Sequence, residues 1–181
     1  MKDSIRLFAA APIPDALQQK LTAHLQHFEH PSLRLLPRQN LHLTLYFIGN
    51  VPVQELPGIK ERIARVAQRH QPFTLQFERT EPGPKPRHPR LIWARFAPHP
   101  AFEALSRELT EELTEQPPAN LKALPHITLA RYRKDAQPPK QLPTISTEEA
   151  LELPVTEVAL WQSVLGSPHP TYSVLERYPL G

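Results

Sequence analysis

The chain has 181 residues, of which 40% are hydrophobic, and this length and composition fit one folded domain rather than a disordered segment. Its 21 Lys and Arg against 18 Asp and Glu leave a formal charge of only +3, which excludes a generally basic nucleic-acid coat and confines any anion-binding surface to a local patch. Cysteine is absent, so disulfides, thiolate metal sites and a cysteine nucleophile are excluded.

The amino terminus and the apolar runs predict where the protein works. No long apolar run follows the charged residues between Met1 and Arg6, and no other segment approaches the ~18 apolar residues that a membrane helix needs. We therefore expect a cytoplasmic protein that does not bind membranes, and we expect it to act as a monomer.

Alternating and helically spaced apolar residues predict the elements of the first half of the chain. In chain order these are a strand at 5–10, a helix that begins at Pro12 and Pro14 and ends near Phe28, a short strand at 33–36, a strand at 41–47 that Gly49 and Asn50 end, a helix carrying Ile59, Ile63 and Val66, and a strand at 73–77.

The second half repeats this alternation of strands and helices. The segment 81–90 contains four prolines and concentrates positive charge, which predicts a protruding loop. After it we predict a strand at 91–96, a helix carrying Phe102, Leu105, Leu109 and Leu113 that Pro117 and Pro118 stop, a strand from 126, a Lys- and Pro-rich loop at 133–143, and two late strands around 155–162 and 172–178.

One tetrapeptide pattern occurs twice in the chain. His42-Leu43-Thr44-Leu45 and His126-Ile127-Thr128-Leu129 each lie in an alternating apolar run that is typical of a half-buried strand. On a strand the histidine and the threonine share one face, while the apolar residues between them face the core. We therefore expect both pairs to line a cleft, because a buried sheet face rarely carries such polar groups.

The order of elements predicts an α+β fold. We expect a single domain, 1–181, made of two pseudo-symmetric lobes, each an antiparallel sheet with helices packed outside, that enclose a central cleft. The two motifs, at 42–45 and 126–129, suggest that the two halves of the chain form duplicated lobes.

Two histidines that face one substrate can hold opposite protonation states at once. Histidine donates or accepts a proton near neutral pH, so one of the pair can take a proton while the other gives one. In-line displacement at phosphorus needs both transfers, on opposite sides of the phosphorus. The threonine hydroxyls can donate hydrogen bonds to the phosphoryl oxygens.

Other kinds of site fit the sequence poorly. Zinc needs three or four converging ligands, and the chain has no cysteine and no His-Glu-x-x-His motif. A Gly-x-Ser-x-Gly nucleophile elbow and glycine-rich phosphate loops are also missing. We therefore predict no metal and no cofactor. The simplest alternative for the motif pair is a coincidence of two polar ladders across strands. The histidines outside the motifs are expected to be packed or solvated: His24, His27, His30, His70, His99 and His169.

The motifs and their surroundings resemble the 2H phosphoesterase superfamily, and within it the RNA 2′,3′-cyclic phosphodiesterases, also called 2′-5′ RNA ligases. The resemblance extends over nearly the whole chain. It rests on Arg6-Leu7-Phe8-Ala9-Ala10 followed by Pro14, on the run from Asn40 to Gly49, on the run from Pro125 to Arg131, and on the closing run from Tyr172 to Leu180.

This resemblance implies a two-lobed fold around a water-filled cleft and an enzyme that hydrolyses an RNA 2′,3′-cyclic phosphate to a 2′-phosphomonoester. It also implies a weak reverse reaction that forms a 2′-5′ bond. The partner would be an RNA with a 2′,3′-cyclic phosphate end, such as a tRNA fragment. His42 resembles the general acid that protonates the departing 3′ oxygen, and His126 resembles the general base. Thr44 and Thr128 would hold the phosphate, and reversing the reaction exchanges the two histidine roles.

Three further residues are candidates for the cleft. Arg131 matches the arginine that binds phosphate in the family, although strict alternation turns it away from His126 unless the strand ends or bulges near Ala130. Tyr46 is in phase with His42 and would either stack on a base or pack in the cleft wall. Tyr172 is a second candidate for the cleft wall, whereas Phe8 and Trp161 are expected in the core.

Several functions remain open from the residues alone. The same site would fit small cyclic nucleotides, 2′-5′ oligoadenylates or an ADP-ribose cyclic phosphate as substrates. A non-catalytic module that binds RNA ends is a third alternative, although tight binding alone would not need two complementary proton carriers. The loop at 81–90 is either a solvated hairpin tip or a basic lip that contacts RNA phosphates.

Overall fold

The computed structural model describes residues 3–119 and 123–181. Within these residues the regular elements, in chain order, are β1 (Ser4–Ala11), α1 (Asp15–Ala23), β2 (Leu33–Leu35), β3 (Leu43–Pro52), α2 (Leu56–Gln68), β4 (Phe73–Gly83), β5 (Leu91–Phe96), α3 (Pro100–Leu113), β6 (His126–Tyr132), β7 (Glu152–Val155), β8 (Glu157–Val164) and β9 (Thr171–Pro179). Short 3₁₀ segments lie at His24–Phe28, Arg38–Asn40 and Val53–Glu55.

The strands form two antiparallel sheets. The four-stranded sheet has the order β3-β1-β8-β9, and the five-stranded sheet has the order β2-β6-β5-β4-β7. Each motif belongs to a different sheet, because the first lies at the start of β3 and the second at the start of β6. The predicted α+β fold with two antiparallel sheets is confirmed.

The two sheets do not correspond to consecutive halves of the chain. β2 pairs with β6 from the second half, while β8 and β9 pair beside β1 from the first half. The expectation that each half forms its own lobe is therefore wrong, although each lobe does carry one motif. Local sequence patterns do not predict which half of the chain supplies a strand to each sheet, because strand pairing joins residues far apart in the sequence.

Helices cover the outer face of each sheet. α2 contacts β8 and β9, and α3 contacts β3, where the Ser106 hydroxyl donates a hydrogen bond of 2.6 Å to the Leu45 carbonyl. The 3₁₀ segment after α1 packs on the other sheet, with the His24 ring 5.6 Å from that of Phe77. The inward side chains of α3, such as Phe102, are fully buried, and each contributes roughly 1.5–3 kcal/mol. No helix in the described part of the chain is long and apolar enough to span a membrane.

Three predicted boundaries in the first half differ from the structure. The first helix is α-helical only to Ala23 and continues to Phe28 as a 3₁₀ segment. Gly49 does not end β3, which continues to Pro52, because glycine tolerates the φ of 90° found there. The loop predicted at 81–90 begins only after Gly83, since β4 extends to that residue.

Pro82 is tolerated inside β4 because no described strand pairs with its outer edge: β7 pairs only with residues 73–76, and the bridge between Thr80 and Ile145 ends before the proline. The single late strand predicted at 155–162 is two strands. β7 ends at Val155 in the five-stranded sheet, and β8 begins at Glu157 in the four-stranded sheet. The Lys- and Pro-rich segment 133–143 lacks helix and strand, as predicted.

Candidate active site

The two motif histidines are held in the same way. The Nδ1 atom of His42 donates a hydrogen bond of 2.7 Å to the carbonyl of Asn40, and that of His126 donates one of 2.7 Å to the carbonyl of Leu124. In both cases the acceptor lies two residues before the histidine. This bond places the proton on Nδ1 of the neutral ring, so that Nε2 carries the free lone pair. The sequence repeat is therefore also a structural repeat.

One cavity of about 260 Å³ brings both motifs together. His42 and Thr44 line it from one sheet, and His126 and Thr128 line it from the other. The complete set of lining residues is Arg6, Phe8, Leu36, His42, Thr44, Phe47, His126, Thr128, Arg131 and Tyr172. The alternation of the motif strands thus predicted the face of all four motif side chains.

A β-bulge in β3 changes which side chains follow the first motif into the cavity. Thr44 pairs with Ala10 and Tyr46 pairs with Ala9, which leaves Leu45 without a partner. Tyr46 is thereby turned to the face of Ala9 and packs against the main core instead of lining the cavity. The expectation that Tyr46 forms the cleft wall is corrected, because it assumed unbroken alternation.

A bulge in β6 does the opposite for Arg131. Thr128 and Ala130 face consecutive residues of β5, so Leu129 is the extra residue. The bulge shifts the phase by one, and Arg131 lines the cavity with the motif side chains. Arg131 therefore reaches the cavity by a bulge next to Ala130, which is the condition that the sequence set for it.

The two bulges are equivalent in the two motifs. Each falls on the fourth motif residue, and each directs the residue five positions after the histidine into the cavity, Phe47 in one case and Arg131 in the other. The Arg6 guanidinium lies 4.8 Å from the centre of the Phe47 ring. Sequence reasoning missed Arg6, Leu36 and Phe47. A local signal existed for Phe47, because two consecutive apolar residues, Leu45 and Tyr46, interrupt the alternation before it.

Aromatic rings surround His42. Its ring centre lies 4.7 Å from that of Phe8, 5.5 Å from that of Tyr172 and 5.7 Å from that of Trp161. The pKa of His42 is lowered to about 4, chiefly by burial and also by the charges of His126 and Arg131, while the hydrogen bond to Asn40 opposes this shift. Tyr172 lines the cavity as predicted, while Phe8 and Trp161 form a small buried cluster apart from the main core.

His126 lies beside a single large ring, that of Trp93, at 4.8 Å between ring centres. Burial lowers its pKa as well, and the guanidinium groups of Arg131 and Arg95 add to this effect. The hydrogen bond to Leu124 opposes it. Both motif histidines are consequently neutral near pH 7 before an anion binds.

The cavity offers hydrogen-bond donors and proton acceptors but few metal ligands. No group of three or more His, Cys, Asp or Glu side chains that could hold a metal ion occurs among residues 3–119 and 123–181. Two neutral imidazoles, two hydroxyls and two guanidinium groups can instead bind an anion and move protons around it. This set of groups suits a phosphate ester.

The whole sequence also carries the pattern of a known protein family. It matches the profile of the 2′-5′ RNA ligase superfamily over residues 13–166. The chain belongs to this superfamily. The resemblance inferred from the motifs is therefore confirmed.

Named relatives of the superfamily cover nearly the whole chain. A protein of Archaeoglobus fulgidus named RNA 2′,3′-cyclic phosphodiesterase is 30% identical over 179 residues, which are 96% of this chain and 99% of the relative. A protein of Thermus thermophilus with the same name is 32% identical over 185 residues, which are 97% of this chain and 90% of the relative. The prediction of an enzyme that acts on phosphodiester bonds agrees with both names.

The fold also matches a solved structure. The crystal structure of TT0787 of Thermus thermophilus superposes with a TM-score of 0.84 at 30% identity, covering 97% of this chain and 98% of that one. The two-sheet architecture is therefore shared with that protein.

Proposed function

We propose that this protein is an RNA 2′,3′-cyclic phosphodiesterase that opens the cyclic phosphate to a 2′-phosphomonoester without a cofactor. The observation that carries the proposal is the convergence of His42, Thr44, His126 and Thr128 on one cavity. The names of the two relatives support the substrate class. The partner is an RNA end that carries this cyclic phosphate, such as a tRNA fragment.

The mechanism needs two proton transfers in one displacement. A water oxygen attacks phosphorus while its proton passes to Nε2 of the base, the bond from phosphorus to the 3′ oxygen breaks, and that oxygen takes a proton from the acid. The bond to the 2′ oxygen is kept. Thr44, Thr128 and Arg131 bind the other phosphoryl oxygens, where charge is redistributed in the transition state.

The proposed roles follow the family, with His42 as acid and His126 as base. Burial opposes protonation of His42 in the free protein, so its role as an acid depends on the bound substrate. The negative charge of the cyclic diester supplies this effect, because an anion next to an imidazole raises its pKa. A 5′-hydroxyl that attacks in place of water would give a 2′-5′ phosphodiester, and this is the proposed ligation reaction.

The volume of the cavity favours a single nucleotide end over a longer buried segment. Sites for drug-sized ligands measure roughly 300–1,000 Å³, and this cavity, at about 260 Å³, is smaller. It suits the terminal ribose and its cyclic phosphate, with the remaining RNA outside.

Histidine substitutions test the proposal. We expect His42→Ala and His126→Ala each to lower the turnover of an RNA with a 2′,3′-cyclic phosphate end by ~10²–10⁴, the usual effect of losing a general acid or base. His27→Ala is the matched control, because His27 is exposed on the 3₁₀ segment after α1 and should keep wild-type turnover. Wild-type turnover in both motif variants would refute the two-histidine mechanism.

A further inference from the structure

A second concave site lies beyond the end of β6, and it is strongly basic. Its volume is about 490 Å³, and six of its lining residues are basic: Arg87, His88, Arg90, Arg133, Lys134 and Lys140. None of its lining residues is acidic. We call this site the basic pocket. It shares no lining residue with the catalytic cavity.

The cations of the basic pocket are not neutralised by neighbouring carboxylates. Within the described ranges 3–119 and 123–181, none of its five Lys and Arg side chains forms an ion pair. Among the described residues, six of the other cations, Lys20, Lys60, Arg69, Arg79, Arg95 and Arg177, pair with carboxylates, whereas scattered cations such as Arg65 and Arg107 do not; what distinguishes the pocket is that its unpaired cations line one concavity. Gathering five unpaired positive charges around one concavity costs electrostatic repulsion, which a bound polyanion would relieve.

The two loops that form the basic pocket are held by backbone hydrogen bonds. The amide of Arg90 donates to the carbonyl of Gly83 at 2.8 Å, and the amide of Arg133 donates to the carbonyl of Ser32 at 2.9 Å. The amide of Tyr132 joins the two loops by donating to the carbonyl of Arg90 at 3.0 Å. Prolines such as Pro89 and Pro138 stiffen the walls. These bonds fix the bases of both loops.

Strand β6 connects the basic pocket to the catalytic cavity. Arg131 lines the cavity, whereas Tyr132 and Arg133, the next two residues, line the pocket. Two residues of extended chain span about 7 Å, so Arg131 of the cavity and Arg133 of the pocket lie close along the chain, and an RNA of a few nucleotides is long enough to contact both. The cavity has room for the terminal nucleotide only, and the upstream backbone must therefore pass over the surrounding surface.

We propose that the basic pocket binds the phosphate backbone of single-stranded RNA upstream of the cyclic phosphate end. This inference rests on the proposed function, because it extends the same substrate out of the cavity. It assigns the loop at 84–90 a role in RNA binding and makes an oligonucleotide a better substrate than a mononucleotide. Contacts to the backbone carry no base preference, so the gain should be independent of sequence.

Paired charge removal tests the basic pocket. The test variant is Arg133→Gln with Lys134→Gln, and a second variant, Arg87→Gln with Arg90→Gln, removes two charges from the other loop. The matched control is Arg65→Gln with Arg107→Gln, which removes two exposed cations from α2 and α3 on the other sheet. Each variant is assayed on two substrates, a 2′,3′-cyclic mononucleotide and a single-stranded RNA of roughly ten nucleotides that ends in the same cyclic phosphate.

We expect both pocket variants to raise KM for the RNA roughly three- to thirtyfold, with kcat and mononucleotide turnover unchanged. The slope of log K against log salt for RNA binding should shrink by about 0.7 for each lost contact, hence about 1.4 for each pair. The control should match the wild type on both substrates. The proposal would be overturned if the pocket variants impaired hydrolysis of the mononucleotide as much as that of the RNA. It would also be overturned if KM for the RNA rose no more in the pocket variants than in the control.

Binding measurements keep this test separate from the proposed activity. The same RNA with a 3′-hydroxyl end cannot be turned over, and its affinity and salt slope test the basic pocket even if no cyclic phosphate is hydrolysed. Vesicles containing phosphatidylserine test the competing anion source. If the pocket variants lost vesicle binding and kept RNA binding, the RNA assignment would be wrong.

Discussion

His42 is a catalytic candidate whose surroundings oppose its charged form. Three aromatic rings and a backbone carbonyl enclose its imidazole, and burial lowers its pKa to about 4. The unfolded chain, in which the pKa of histidine is near 6.5, binds the proton more readily between these two values. His42 therefore contributes stability above about pH 6.5, and this contribution is lost as the pH falls towards 4.

The pH dependence of stability should change when His42 is replaced. A pKa lowered to about 4 means that protonation of His42 lowers the free energy of unfolding of the wild type by up to roughly 3 kcal/mol between pH 6.5 and pH 4. His42→Gln has no such group, so its free energy of unfolding should fall less over this range. Urea unfolding across this range measures the difference. His27→Gln, at an exposed position, should follow the wild type. Identical pH dependence in the wild type and His42→Gln would show that burial does not oppose the charge.

Other histidines have partners outside the cavity, in agreement with the expectation that they are packed or solvated. His24 Nδ1 lies 2.8 Å from the hydroxyl of Thr80, and His99 Nδ1 accepts a hydrogen bond of 3.1 Å from the amide of Ala101 at the start of α3. His70 contacts the carboxylate of Glu108. Only the repeated motif identified His42 and His126 as the cavity histidines, because residue type alone does not distinguish them from these three.

At the scale of the element, two β-bulges decide the composition of the cavity. The alternation of apolar residues correctly predicted the face of His42, Thr44, His126 and Thr128, since these residues precede both bulges. It failed for Tyr46 and for Arg131, which follow them. Period-2 reasoning cannot place a bulge, because the extra residue depends on how the neighbouring strand pairs.

A close contact between β4 and β5 fixes the ring beside His126. A Cβ atom added to Gly83 would lie 2.5 Å from Cε2 of Trp93, and the Trp93 ring packs against His126. Gly83→Ala should therefore displace the indole, lowering the free energy of unfolding by about 1–3 kcal/mol and also lowering turnover. Urea unfolding and the cyclic phosphodiesterase assay measure these two effects.

Gly58→Ala is the control for this substitution. Gly58 lies in α2, and the nearest atom to an added Cβ is a side-chain nitrogen of Arg62 at 3.9 Å, which leaves room for it. Replacing glycine by alanine inside a helix should raise stability by about 0.5–1 kcal/mol and leave turnover unchanged. Wild-type stability and turnover in Gly83→Ala would contradict the close contact.

For the whole molecule, one hydrophobic core joins the two sheets. The same buried cluster includes Leu43 and Leu45 of the four-stranded sheet and Ile127 and Leu129 of the five-stranded sheet. Strands from both halves of the chain also contribute to each sheet. The fold class was predictable from element order, but this exchange was not, because it depends on contacts between distant segments. We expect the lobes to unfold together.

The two tryptophans of the chain allow this cooperativity to be measured. Trp93 lies in β5 and Trp161 in β8, one in each sheet. In Trp161→Phe the fluorescence of Trp93 reports unfolding of the five-stranded sheet, and in Trp93→Phe that of Trp161 reports unfolding of the four-stranded sheet. We expect the fluorescence midpoint in urea to coincide with the far-UV circular dichroism midpoint of the same variant, in both variants. Separate midpoints in either variant would show that the sheets unfold independently.

The proposed function requires that side chains from both sheets act on one phosphate. The most direct measurement is the position of the phosphate in the product when the purified protein acts in EDTA on an RNA with a 2′,3′-cyclic phosphate end. We expect a 2′-phosphomonoester, formed at the same rate with and without EDTA. A 3′-phosphate product, or activity that depends on added metal, would contradict it.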